Sequence, residues 1–206
     1  MSQMELDHIA VSAGTLAEAT AHVQSVLGVP LQQGGEHAVF HTHNTLLGLE
    51  DGLYLEAIAV NPAAPTPDRP RWFDLDRFSG SPRLTNWICR CADLDETLAA
   101  LPDGFGAPVS LQRGDLRWRM AVPADGVLPF DNCAPALIEW EGDAHPAPLL
   151  TQRGARLDRL TVRHPRAADL QSMLASHLND TRVHFEAGAA GLDAQFTVAG
   201  VVKALH

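Results

Sequence analysis

Three short runs in this chain place apolar and polar positions in closely similar order. Leu6-Asp7-His8-Ile9-Ala10-Val11 is echoed by Leu84-Thr85-Asn86-Trp87-Ile88-Cys89 and again by Leu157-Asp158-Arg159-Leu160-Thr161-Val162. Each reads as a strand, and each precedes a stretch rich in Leu and Ala that reads as a helix. In the first such stretch Leu16, Ala19, Val23, Val26 and Leu27 recur at helical spacing. Thr15 and Glu18 make a capping box there, and Gly28 sits where a helix stops. Strands are then expected at 37–41, 45–49 and 53–60, with Gly34-Gly35 turning the chain before them and Glu50-Asp51-Gly52 joining the last two as a hairpin. The second unit repeats the plan, with a strand at 84–91, a helix at 93–101 and strands at 110–113, 116–122 and 135–140. The third is shorter, with a helix at 167–178 and strands at 183–187 and 194–205.

The expected organisation is a pair of units over residues 1–142, namely 1–60 and 84–142, with a truncated third unit at 155–206 packed on or completing the same domain. Residues 61–83 form a linker with five prolines, Pro62, Pro65, Pro67, Pro70 and Pro82. Within it, Arg71-Trp72-Phe73-Asp74-Leu75 predicts a short amphipathic turn that covers an apolar surface.

The bulk properties narrow the function. At 206 residues, with 46% hydrophobic and 19% charged positions, the chain can bury a proper core. A formal net charge of −10 argues against nucleic acid or an anionic membrane as partner. No apolar run reaches the roughly 20 residues that span a bilayer. The N-terminus, Met1-Ser2-Gln3-Met4-Glu5, lacks the basic start and apolar core of a signal peptide, so a cytoplasmic location is expected. Cys89, Cys91 and Cys133 follow no zinc-ribbon spacing and read as buried free thiols.

Several residues carry candidate chemistry. Glu56 interrupts the apolar run Leu55-Glu56-Ala57-Ile58-Ala59-Val60, and strand alternation puts Leu55, Ala57 and Ala59 on the face away from it. The carboxylate then points either to an internal partner or to water. Glu139 carries the same ambiguity, with Glu141 on its face. His37, His41 and His43 share one face of any unbroken strand. Arg117 and Arg119 lie opposite Trp118 and suit an anion or a surface ion pair. The third position of the repeat reads His8, then Asn86, then Arg159, so a metal ligand in the first copy would be altered in the later ones.

Taken in order, Leu6-Asp7-His8-Ile9, Gly34-Gly35-Glu36-His37, Thr42-His43-Asn44-Thr45-Leu46, Tyr54-Leu55-Glu56-Ala57-Ile58-Ala59, Leu116-Arg117-Trp118-Arg119-Met120-Ala121 and Leu137-Ile138-Glu139-Trp140-Glu141 resemble the vicinal oxygen chelate superfamily. Within it, the chain is most similar to the glyoxalase-like group related to bleomycin-resistance proteins and extradiol dioxygenases. The resemblance covers residues 5–142 well and the third unit loosely. It implies an α+β fold of repeated βαβββ units that form an incomplete antiparallel barrel around a central cavity.

The resemblance also carries a metal site onto His8, Glu56, Asn86 and Glu139. Asn86 departs from the pattern as a neutral oxygen donor, which leaves His8, Glu56 and Glu139 to hold a divalent ion such as Zn, Ni, Mn, Fe or Mg. Glu56 or Glu139 would serve as catalytic base, and His37, His43, Asn44, Trp87 and Arg119 would meet the substrate. The implied function is a lyase or isomerase acting on a small molecule with adjacent oxygens. The alternative is a drug- or metabolite-sequestering module of the same fold. An extradiol-type oxygenase would need His37 or His43 to join His8 around iron. A homodimer is the assembly suggested, with the third unit supporting structure or dimerisation.

Overall fold

The computed structural model describes residues 3–206; residues 1 and 2 of the N-terminal stretch read above lie outside it. Unit one runs β1 (Met4–Ser12), α1 (Leu16–Leu27), β2 (Gln32–His37), β3 (Thr42–Gly48) and β4 (Tyr54–Val60). The capping box forms as predicted, with the Thr15 hydroxyl accepting from the Glu18 N–H, and Gly28 ends the helix in the left-handed region at φ 74°. Unit two runs β5 (Arg83–Cys91), α2 (Leu94–Ala100), β6 (Ala107–Arg113), β7 (Leu116–Val122) and β8 (Ala136–Trp140). Together they make one eight-stranded sheet in the order β2-β3-β4-β1-β5-β8-β7-β6, joined where the first strands of the two units pair antiparallel. The sheet is mixed, because β1 pairs parallel with β4 and β5 parallel with β8. It curls into a half-barrel, bringing Gly35 of edge strand β2 against the Arg113 side chain of edge strand β6.

Strand alternation divides the buried residues into two clusters. Leu6, Ile9, Val11, Leu55, Ala57, Trp87 and Leu137 pack outward against the helices and the third unit. Ala10, Ile58, Ile88, Trp118, Met120 and Ile138 face the concave side. The proline-rich linker closes that side, as the sequence predicts. Its 3₁₀ turn at Trp72–Arg77 buries Trp72, Phe73 and Leu75 there, and each such side chain contributes roughly 2 kcal/mol by leaving water.

Three local expectations are corrected. Gly34-Gly35 is not a turn but lies within β2, at a register shift opposite β3. A Cβ on Gly34 would stand 2.0 Å from the Asn44 side-chain oxygen, so close backbone approach explains the glycine pair. The strand expected at 37–41 ends at His37, and a turn through His41 at φ 51° precedes β3. His37, His41 and His43 therefore do not share a face.

The third correction concerns the last unit. It contains β9 (Ala155–Arg163), α3 (Ala167–Leu174), β10 (Val183–Glu186), β11 (Gly191–Val198) and β12 (Val201–Leu205). Ala199 and Gly200 split the expected final strand into a hairpin. The unit thus has all five elements, in a separate sheet ordered β10-β9-β11-β12. Its first strand pairs parallel with the second strand, β10, where units one and two use the fourth.

Candidate functional site

The site begins with an irregularity in β1. Leu6 pairs with Cys89 and His8 with Ile88, so Asp7 is an extra residue at a bulge. The bulge lets two consecutive side chains meet: His8 Nδ1 lies 2.6 Å from an Asp7 carboxylate oxygen. The other oxygen accepts from Trp140 Nε1 at 3.1 Å and lies 2.9 Å from His145 Nε2. Asp7 is fully buried, which alone would raise its pKa. The bonds from His145 and His8 outweigh burial and hold it well below the usual carboxylate range. A charged Asp7 fixes the His8 proton on Nδ1 and leaves Nε2 directed away from it.

His8 stacks on Tyr54, with ring centroids 4.3 Å apart, and its Nε2 stands 3.7 Å from Glu56 Oε2. Strand phase on β4 resolves the Glu56 ambiguity. Leu55 and Ala57 fill the outer core while Ile58 joins the concave cluster, so Glu56 points inward. Asn44, on β3, holds its other oxygen by donating to Oε1 at 2.5 Å. The orientation of that amide is itself set, because its oxygen accepts from the Gly35 N–H at 2.9 Å and from Arg113 Nη1 at 3.2 Å. Asn44 thus positions Glu56. His37 Nδ1 pairs with the Thr42 hydroxyl at 2.9 Å, and its Nε2 lies 4.0 Å from Glu56 Oε1.

These groups line a cavity walled by Trp72, Trp118, Trp140, Met120 and Ile138, with about 30 Å³ of free space, room for a water-sized group. A larger recess of about 400 Å³ between the two sheets is lined by Arg77, Arg83 and Arg163 among others. Its cations are already engaged: Arg77 by Asp74, Arg163 by Asp193 and Arg83 by backbone carbonyls. Converging unengaged lone pairs, rather than size, mark the smaller cavity as the site.

Burial, then Arg113, His8 and His43, pushes the His37 pKa down to about 3. The unfolded chain takes up a proton near pH 6.5 that the folded chain refuses until about pH 3. Stability from this residue is therefore complete above pH 6.5 and is lost as pH falls from there toward 3. His37→Gln is expected to flatten the fall in Tm between pH 6.5 and 4, which thermal unfolding across that range checks.

Other sequence-proposed residues are not brought here. Glu139 leaves the opposite face of β8 from Ile138 and Trp140. It accepts from the Leu94 N–H at 2.6 Å and from Arg119 Nη2 at 2.6 Å, at the start of α2. Arg119 is divided between Glu139 and Asp95. Trp87 packs in the outer core and donates to the Cys133 carbonyl. His43 lies on the outward side of β3, the side from which Thr45 meets Thr20 of α1.

Strand register explains the misplacement of Glu139. His8 pairs with Ile88 and Ala10 with Asn86, so a local twofold exchanges His8 with Asn86 and Ala10 with Ile88. Ala10 pairs with Glu56, and Ile88 with Ala136. The residue that mirrors Glu56 is therefore Ala136, three positions before Glu139. Unit two offers an amide and a methyl group where the resemblance implies two more ligands, and this donor set does not fit the four-position metal site. Among the described residues, no three His, Cys, Asp or Glu side chains are grouped to hold a metal ion.

The Glyoxalase-like domain family matches residues 6–178. The chain belongs to this family. A hypothetical protein from Staphylococcus aureus shares the fold over 98% of each chain, with a TM-score of 0.64 and 13% identity. The Mn(II)-bound glyoxalase from Novosphingobium aromaticivorans aligns over 93% of this chain and 64% of its own, at a TM-score of 0.49 and 9% identity. Methylmalonyl-CoA epimerase from Mycobacterium tuberculosis aligns over 69% of this chain and 91% of its own, at 0.39 and 17%. No protein of curated function matches the chain. Among the described residues, no helix is long and apolar enough to cross a membrane.

Sequence reasoning missed Asp7, Tyr54, Arg113, Trp140 and His145. Asp7 had a local signal, a carboxylate beside the repeat histidine, but only the bulge makes the two side chains meet. The others come together through strand order alone.

Proposed function

We propose that the chain is a small-molecule isomerase or lyase of glyoxalase type that moves a proton at a carbon flanked by oxygens. The observation that supports this most strongly is the Glu56 carboxylate, tied at one oxygen by Asn44 and turned at the other toward His8. Glu56 Oε2 takes the proton from the C–H. The Nε2 lone pair of His8, whose Nδ1 is held by Asp7, takes the proton of the neighbouring hydroxyl and passes it to the former carbonyl oxygen. Glu56 returns its proton to the neighbouring carbon of the enediolate, which completes the isomerisation. Trp72, Trp118 and Trp140 wall the space in which the step takes place.

The experiment is NMR observation of deuterium entering the α-carbons of hydroxyacetone in D₂O. Exchange above the uncatalysed rate that depends on Glu56 supports proton transfer. Binding without exchange would instead favour the sequestering module, for which the three tryptophan walls speak.

No step is routed through a metal, since unit two does not supply its half of the ligand set. Tag-free protein is expected to carry well under one equivalent of divalent ion by mass spectrometry. One equivalent that disappears in both His8→Ala and Glu56→Ala would restore metal to the mechanism.

A further inference from the structure

We infer that the turn at Trp72–Arg77 is a gate, which opens as a unit to join the small cavity to the recess behind it and so admits the bound molecule. This rests on the cavity being the small-molecule site proposed above. The closed cavity holds only a water-sized group, too little for even a three-carbon molecule. Most of its lining stands on the strands of the curled sheet, whose walls cannot part without breaking ladder hydrogen bonds. Trp72, Phe73 and Pro146 belong instead to connecting segments. Pro146 follows His145, which is bonded to the buried Asp7. That leaves the turn carrying Trp72 and Phe73 as the wall that can move.

The turn is clasped to itself. Asp76 accepts from the Arg71 backbone N–H at 2.8 Å and from Arg71 Nη1 at 2.6 Å, and Arg77 Nε donates to Asp74 at 2.7 Å. Toward the sheet it presents a ring: Trp72 stacks on Phe40 at 4.3 Å and stands nearly perpendicular to His37 at 4.9 Å. The Asp74 N–H donates to the Gly126 carbonyl at 2.9 Å, and Asn132 Nδ2 reaches the Phe73 carbonyl at 3.4 Å. A segment bonded within itself and seated on its neighbours largely through rings opens as one body.

Closure holds the turn under tension. Trp72 Nε1 and Arg71 Nε are buried without a hydrogen-bond partner, and protein interiors rarely retain such donors. Phe73 and Asp74 lie at φ 60° and 55°, in the left-handed region that side chains other than glycine resist. The loop that holds the Phe73 carbonyl is bent in the same way, with Asp131 at φ 51° and Asn132 at 67°. Strain of this kind gathers at ligand clamps and switching segments. Opening gives both donors water and releases the backbone. Space for the movement exists, because Phe73 lines the recess of about 400 Å³ as well as the cavity, and Asp74 and Arg77 line the recess beside it. The turn is the partition between the two.

Backbone hydrogen–deuterium exchange and carbethoxylation of His8 by diethyl pyrocarbonate, both read by mass spectrometry on the ligand-free chain, test this. His8 turns Nε2 into the cavity and is 5% exposed, so the reagent reaches it through the open gate. Amides of residues 72–78 are expected to exchange at least about 100-fold faster than those of β1, β4 and β5. Asp76 is exposed and outside the cavity lining, so Asp76→Ala undoes the clasp without widening the cavity. It should raise turn exchange and His8 modification together, each about fivefold, and leave the strands unchanged. Asp76→Asn, which keeps an acceptor for the Arg71 N–H, should fall between. Turn amides that exchange as slowly as the strands, or His8 modification that does not follow the turn, overturn the inference. Both readouts are independent of turnover. A gate that responds to Asp76→Ala with no deuterium entering hydroxyacetone sinks the proton-transfer proposal alone. Glu56-dependent entry of deuterium with a turn that never opens sinks the gate alone.

Discussion

Glu56→Gln is expected to slow deuterium exchange into hydroxyacetone by about 10²–10⁴-fold, the range over which a positioned general base acts. The substitution keeps shape and volume. The Gln oxygen still accepts from Asn44 Nδ2 at the 2.5 Å position, and its new NH₂ faces His8 Nε2, which carries a lone pair. Fold and ligand affinity should therefore survive while the base is lost, so the effect belongs in kcat rather than in KM. Glu139→Gln is the matched comparison. Its side chain accepts from the Leu94 N–H and from Arg119 outside the cavity, so exchange should be unaltered. Weakening its hold on the first turn of α2 should cost about 1 kcal/mol of stability. Equal exchange rates for wild type and Glu56→Gln would remove Glu56 from the mechanism. A loss of exchange in Glu139→Gln would mean that the second unit works in the chemistry after all.

Why the two glutamates fared differently shows how far one-dimensional reading reaches here. Both interrupt apolar runs and both were ambiguous by period. For Glu56 the motif assignment coincided with the register, because β4 runs unbroken from Tyr54 to Val60 beside β1. For Glu139 the string Leu-Ile-Glu-Trp imitated Tyr-Leu-Glu-Ala, but the strand pairs three residues out of step with that imitation. Pairing register depends on neighbouring strands and bulges, neither of which a repeat string records. The same limit hid Asp7, whose approach to His8 depends on one extra residue in β1, and split the three histidines, which a turn at His41 sends apart.

What the local chemistry does fix was legible. The Thr15–Glu18 cap, the stop at Gly28, the antiparallel meanders of units one and two and the covering turn at Trp72 all follow from residues close in sequence. The third unit shows the converse. Its strand–helix order is readable, yet the parallel pairing of β9 with β10 instead of a fourth strand is a long-range choice. Arg159, at the repeat position of His8, pairs with Glu186 on β10 and leaves no ligand there.

Asp7→Ala is expected to be the most destabilising single change at the site. One carboxylate accepts from His8 Nδ1 and from Trp140 and bonds to His145, with no exposure to water that could replace it. Removing it orphans the buried His8 and the half-buried Trp140 and His145 at once, and breaking a buried charged network of this kind costs about 3–5 kcal/mol. For a chain of this size that corresponds to a Tm lower by roughly 10 °C. Asp7→Asn separates charge from packing. An amide fits the space but cannot accept from all three partners, so the His8 tautomer is no longer fixed with Nε2 free. Exchange should then fall about 10–100-fold, as it does when the partner orienting a functional histidine is removed. The pH dependence supplies the sign. With its folded pKa held well below the ordinary value near 3.8, Asp7 stabilises the fold fully above that value. The contribution is lost as pH falls below it. Wild-type stability should thus drop steeply on acidification below pH 4, and Asp7→Asn, already less stable at pH 7, should drop less. Parallel curves for the two proteins between pH 4 and 2, followed by circular dichroism, would mean that Asp7 is not the anion on which His8 leans.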